Sequence, residues 1–282
     1  MNILFSLAIL PVVLLCYYIY AKDINKEPGN VLSKLFFMGA LIVIPVLIVE
    51  IFLDHFLSTE NVNNFIVVFI NVFLSIAIVE EGFKWLVVRN VGYDNREFDE
   101  VYDIIVYSVF ASLGFACIEN IFYVYQYGAG NALLRALTAI PGHTCFGVVM
   151  GYFMAKAKVA GISGNNKVVV SSMLLSLLVP TILHTVYDSI LLFYSNINGG
   201  LELFLAFLLF HIVMVVFCFN IVKRMSSVQE NINLGIKKGT IAMVEGQVQV
   251  ETPTVNNVKY CPVCGKYVEG SNYCSGCGFK VK

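Results

Sequence analysis

Three observations predict an all-α polytopic membrane protein of about seven transmembrane helices with a small four-cysteine zinc-ribbon tail. Hydrophobic residues make up 58% of the chain and charged residues 13%, with a mean hydropathy of +0.78, against roughly 25% charged residues in soluble domains. Apolar runs of about the 20 residues that span a bilayer core recur along the first three quarters of the chain. They stop after Arg224, and the C-terminus carries two C-x-x-C pairs. The net charge is -1 and the 18 Lys and Arg residues form no basic face, which leaves nucleic-acid binding without electrostatic support.

The apolar segments fall near residues 2 to 20, 35 to 53, 65 to 88, 101 to 126, 133 to 155, 168 to 194 and 201 to 222. The first has no basic n-region and no small-residue cleavage site before Lys22 and Asp23, so it reads as a retained span rather than a signal peptide. Lys22, Lys26 and Lys34 follow the first span, Arg89 and Arg96 the third, Lys156, Lys158 and Lys167 the fifth, and Lys223 and Arg224 the seventh. The alternate connections carry Asp54, Glu60 and Glu202, with Arg135 the only basic residue near them. The positive-inside rule then puts the N-terminus outside and the C-terminus in the cytosol; the loop from Arg89 to Glu100, with four acids, votes more weakly. Residues 1–222 form the membrane domain, 223–256 a polar cytosolic linker whose Ile241 to Val250 stretch alternates like a short hairpin, and 257–282 the tail. Cys16, Cys117, Cys145 and Cys218, isolated in apolar helices, read as small hydrophobes.

In the tail, Cys261-Pro-Val-Cys264-Gly and Cys274-Ser-Gly-Cys277-Gly are two knuckles separated by nine residues. Each pair turns two thiolates toward one ion, the following glycine permits the tight turn, and two pairs complete a tetrahedral four-thiolate shell. Reducing conditions in the cytosol disfavour the alternative of two disulfides. A closed shell has no open position for a substrate, so this zinc is structural and the module serves docking or regulation, its cytosolic partner unidentified.

Ionisable groups at membrane depth cost several kcal/mol and mark functional cavities. The third span holds Glu80, Glu81 and Lys84, spaced so that the lysine neutralises one carboxylate and leaves the other as a base. The fourth holds Glu119 and Asn120, with no cation within a turn, so a histidine from another helix is the expected partner. The fifth offers Pro141-Gly-His143, and Gly147 and Gly151 four residues apart for close helix packing. The sixth offers His184 and Asp188 on one face, a pair suited to metal ligation or to a carboxylate that orients the ring. His211 reads as a packing residue and His55 receives no role. Two histidines with carboxylates can hold a divalent metal, zinc for instance, through His143, His184 and Asp188, with a glutamate activating water; a metal-free glutamate–histidine site is the other reading. Glu80 and Glu119 sit in opposite halves of the membrane, ~10 Å apart at about 1.5 Å per residue, and helices tilted or broken near Pro141 and Pro180 would bring them level.

The arrangement resembles the PrsW-type intramembrane proteases, distant relatives of the CAAX prenyl endopeptidases. The resemblance covers roughly residues 1–222 and rests on Glu80, Glu81 and Lys84 (Glu-Glu-x-x-Lys), Phe115, Glu119 and Asn120 (Phe-x-x-x-Glu-Asn), His143, and His184 and Asp188 (His-x-x-x-Asp). It implies an intramembrane endopeptidase acting on a single-span membrane protein, an anti-sigma factor being the family's known kind of substrate. In that reading Glu81, with Glu80 as the alternative, polarises the attacking water, Lys84 balances the second charge, His143, His184 and Asp188 bind metal or stabilise the oxyanion, and Glu119 and Asn120 orient a histidine or the substrate. The competing classes are an ion- or proton-coupled transporter, for which the expected internal symmetry is missing, and a non-catalytic sensor that uses the ribbon to bind a partner.

Overall fold

A computed structural model of the chain describes residues 3–60, 62–227, 231–233, 235, 241–244 and 247–250. The expected zinc ribbon, with Cys261, Cys264, Cys274 and Cys277, lies outside the described residues. Helices α1 (Ile3–Lys22), α2 (Gly29–Leu41), α3 (Val43–Asp54), α4 (Phe65–Val72), α5 (Ile78–Val87), α6 (Asp103–Leu137), α7 (Ala139–Ile162), α8 (Asn166–Asn196) and α9 (Leu201–Met225) follow in order. The polar linker contains a two-stranded antiparallel hairpin, β1 (Ile241–Val244) and β2 (Gln247–Val250), with Ile241 opposite Val250.

The breaks between these helices have chemical causes. Pro45, in the first turn of α3, has no N–H to offer Leu41, and the rod of α2 and α3 bends at Ile42. One π-helical turn (Phe73–Ala77) joins α4 to α5 and another (Val88–Tyr93) follows α5, so the segment carrying Glu80 to Lys84 is bracketed by register shifts. Gly128 (φ 79°) bends α6 in a conformation that L side chains rarely adopt. Thr138 then breaks the chain, and Pro141 lies in the first turn of α7, where a missing N–H costs nothing. Of the two alternatives near Pro180, tilt or break, a break is excluded, since α8 runs unbroken from Asn166 to Asn196 with Pro180 inside it.

Among the described residues, five stretches are long and apolar enough to cross a membrane: Gly29–Asp54, Phe65–Tyr93, Asp103–Ile162, Asn166–Asn196 and Leu201–Met225. The third is a hairpin: as α6 advances from Ile105 to Ser112, its neighbours on α7 retreat from Gly151 to His143. Helix α6 is the hub, buried almost without interruption from Asp103 to Cys117. A Cβ on Gly39 would lie 2.0 Å from the Ala111 carbonyl oxygen, and one on Gly114 2.0 Å from that of Phe36, so α2 and α6 meet backbone to backbone. Gly147 and Gly151 permit the same approach of α7 to α6, as their spacing predicts. The outer faces of α1, α3 and α9 expose Leu14, Ile48, Phe52, Leu209 and Phe217, an apolar surface suited to lipid rather than water.

Candidate active site

The polar groups of the third to sixth apolar runs converge on one buried cluster. Nζ of Lys84 lies 2.8 Å from Oε2 of Glu80 and 2.9 Å from Oε1 of Glu81 on its own helix. It is also 3.2 Å from Nδ1 of His143 on α7 and 4.2 Å above the centre of the Phe115 ring. An ammonium has three N–H donors and no acceptor, and here they meet three acceptors. Nδ1 of His143 therefore accepts, and the proton is on Nε2, which donates to Oε2 of Glu119 at 2.8 Å. The expected histidine partner of Glu119 is thus His143.

Glu119 has a second partner that the sequence did not disclose. Its Oε1 pairs with Nη2 of Arg135 at 3.0 Å, while Nε of Arg135 donates to Oδ1 of Asn120 at 3.0 Å. The bend at Gly128 folds Arg135 back over Tyr123. Asn120 does not join the cluster: its Nδ2 donates to the Ala8 carbonyl on α1 at 2.9 Å, so it fixes Arg135 and α1 rather than touching the cavity.

On α8, Nδ1 of His184 lies 3.1 Å from Oε1 of Glu81 and Nε2 lies 3.1 Å from Oδ2 of Asp188. The His184 ring stacks on Phe146 at 4.7 Å and meets His143 edge-on at 5.4 Å. The expected ligand trio His143, His184 and Asp188 is not gathered, because Lys84 and Glu119 engage both nitrogens of His143. Donor atoms of Glu80, Glu81 and His184 instead lie within 4.8 Å of one another. Oε2 of Glu81 is buried with no hydrogen-bond partner among the described residues. Two carboxylates, one of them with the orphaned oxygen, and an imidazole are donors that fit a divalent metal, and Lys84 offsets the surplus negative charge.

These groups border a cavity of about 640 Å³ lined by Glu50, Glu80, Glu119, His143, His184 and Asp188, with Arg135 at its wall. The depth difference between Glu80 and Glu119 is spanned by the lysine and His143. Glu81 is sealed behind Lys84 and His184 with 0% exposure, and Glu80 is the member of the pair that borders the cavity. Glu50, an acid within the apolar body of α3, has a buried Oε1 without a partner among the described residues; an acid inside that apolar run was the available signal. His211 packs on Phe207 and lies 3.2 Å from the Leu137 carbonyl oxygen, as a packing residue should.

Residues 27–221 match the family described as PrsW family intramembrane metalloprotease. Protease PrsW of Oceanobacillus iheyensis is 38% identical over 203 residues, covering 72% of this chain and 89% of that protein. Protease PrsW of Bacillus subtilis is 38% identical over 192 residues (68% and 84%), and that of Geobacillus kaustophilus 40% over 190 residues (67% and 80%). No solved structure matches. With the buried cluster from Glu80 to Asp188 lying inside the matched region, the chain belongs to the PrsW family of intramembrane metalloproteases.

Proposed function

We propose that the chain cleaves a peptide bond of a single-span membrane protein, an anti-sigma factor being the substrate class, in regulated proteolysis. The observation that carries this reading is the cavity in which carboxylates, imidazoles and a guanidinium converge at the depth of the apolar helices. Glu81 and His184 would hold a divalent metal beside Glu80, His184 through Nδ1 while Asp188 orients Nε2. Such a metal, when bound, supplies a Lewis acid that polarises the scissile carbonyl and acidifies a water. Glu80 takes the proton of the attacking water through Oε1, the oxygen Lys84 does not hold, as the water oxygen bonds to the carbonyl carbon. Arg135, at the cavity wall, offers an N–H donor to the developing oxyanion. When the C–N bond breaks, the proton held by Glu80 passes to the leaving nitrogen. Lys84 keeps two adjacent buried carboxylates charged and positioned, and Glu119 fixes the His143 ring.

The same reading places seven spans with the N-terminus outside, residues 1–222 as the protease domain, and 223–256 as a cytosolic linker. Residues 257–282 then form a cytosolic ribbon on structural zinc. Co-expression with tagged single-span anti-sigma candidates tests it. A fragment produced by the wild type and by neither Glu80→Gln nor His184→Ala, at matched protein levels, is expected. Cleavage that persists in both variants overturns the site assignment.

A further inference from the structure

A second acidic cluster lies at the far end of α6 from the protease cavity. Asp103, the first residue of α6, is sixteen residues from Glu119, about 24 Å along a helix rising 1.5 Å per residue. Carboxylate oxygens of Asp23, Glu100 and Asp103 lie within 4.8 Å of one another, and all three residues are buried. Their exposures are 1%, 4% and 0%.

Each of these acids is half used. Oδ2 of Asp23 accepts from the Glu27 amide at 3.2 Å, Oε1 of Glu100 from the Asn25 side chain, and Oδ2 of Asp103 from the amides of Asp99 (3.0 Å) and Glu100 (2.7 Å). The second oxygens, Oδ1 of Asp23, Oε2 of Glu100 and Oδ1 of Asp103, are buried with no hydrogen-bond partner among the described residues. Nearby Lys26 directs its ammonium at the carbonyls of Tyr20 and Asp23. Glu27 adds a fourth buried acid, held by the Tyr107 hydroxyl. Three buried carboxylates from two separate stretches of chain, brought together and each with one orphaned oxygen, carry an uncompensated desolvation cost unless something positive lies between them.

We propose that Asp23, Glu100 and Asp103 bind a hard divalent cation, Mg²⁺ or Ca²⁺. The donors are all oxygen, the set that these ions prefer and that thiolate- or imidazole-seeking metals do not. Ca–O bonds of about 2.4 Å place opposite ligands about 4.8 Å apart, and Mg–O bonds of about 2.1 Å need a modest contraction with waters filling the shell. The ion pins the connection between α1 and α2 to the start of α6, the same junction where the Tyr102 hydroxyl donates to the Ile19 carbonyl at 3.0 Å. It is therefore a structural clamp on the helix that carries Glu119, independent of the metal that the protease site would hold.

The test uses the full-length protein in detergent, stripped with chelator, with the thermal unfolding midpoint read before and after millimolar MgCl₂ or CaCl₂. A rise of about 5 °C is expected at saturation, with the larger response identifying the ion. Asp23→Asn and Asp103→Asn, two variants in separate stretches so that one folding failure does not end the test, lose the rise. Glu81→Gln, altered only in the membrane cluster, keeps it. No rise in the wild type with either salt, an equal rise in both Asn variants, or a rise lost only in Glu81→Gln overturns the proposal. The last outcome would place the ion in the protease site and leave that reading intact.

Discussion

Nζ of Lys84 lies 3.2 Å from Nδ1 of His143, and this contact links the third apolar run to the fifth while setting the tautomer whose Nε2–H donates a hydrogen bond to Glu119. The lysine completes a shell of two carboxylates and one imidazole in a place from which water is nearly excluded. Removing it leaves Glu80 and Glu81 side by side without a counter-charge. Lys84→Met is expected to lower stability by about 3 kcal/mol and to abolish cleavage, as read by thermal unfolding and a fragment assay. Lys84→Arg should restore part of the stability without restoring cleavage, because a planar guanidinium does not reproduce three tetrahedral donors. A Lys84→Met protein as stable as the wild type would contradict this role.

Arg135 acts at the opposite end of the chain of contacts, through Glu119. Arg135→Gln keeps a donor but leaves the Glu119 carboxylate without its cation. Cleavage is expected to fall about 100-fold, the lower end of the range for losing one oxyanion donor. The fall should appear in kcat more than in KM. Unchanged kinetics would detach Arg135 from the site.

Glu50 makes a different prediction, because its buried Oε1 lacks a partner among the described residues. A buried carboxyl oxygen without a partner costs stability, so Glu50→Gln should raise stability by about 1 kcal/mol. If the acid serves the cavity, cleavage drops in the same variant. Comparing the melting midpoint and the cleavage rate of one protein reads both effects.

Gly39 and Gly114 set how closely α2 approaches α6. Gly114→Ala is expected to cost about 3 kcal/mol, since the added methyl meets backbone that cannot swing aside. Gly82→Ala is the control: a Cβ there meets nothing within 4 Å, and alanine in a helix gains up to about 1 kcal/mol over glycine. Equal melting points for the two variants would mean that the α2–α6 contact is looser than described.

Much of the cluster was legible because an ionisable side chain in an apolar run has few structural reasons to be there. Glu80, Glu81 and Lys84 announced an ion-paired helix face, and His184 with Asp188 an oriented imidazole. Arg135 was read as a loop cation because nothing in the sequence says that Gly128 adopts a positive φ and turns the next helical stretch back over Glu119. The ligand trio differed from expectation for a related reason: spacing identifies groups on one helix face, whereas tertiary packing decides that Lys84 occupies Nδ1 of His143. Pro180 left tilt or break open, and α8 passes through it unbroken, while Asn120, adjacent to Glu119 in sequence, faces α1 instead. Glu50 stood out in its helix, but only the fold brings it to the cavity.

The central claim is that Glu80, Glu81 and His184 form the hydrolytic centre. Its most direct test is cleavage of a purified single-span substrate by the full-length protein in liposomes, before and after chelation, alongside Glu81→Gln. Cleavage that is lost on chelation, restored by zinc and missing from Glu81→Gln at unchanged folding is the predicted result. Cleavage by chelated Glu81→Gln at the wild-type rate would contradict it.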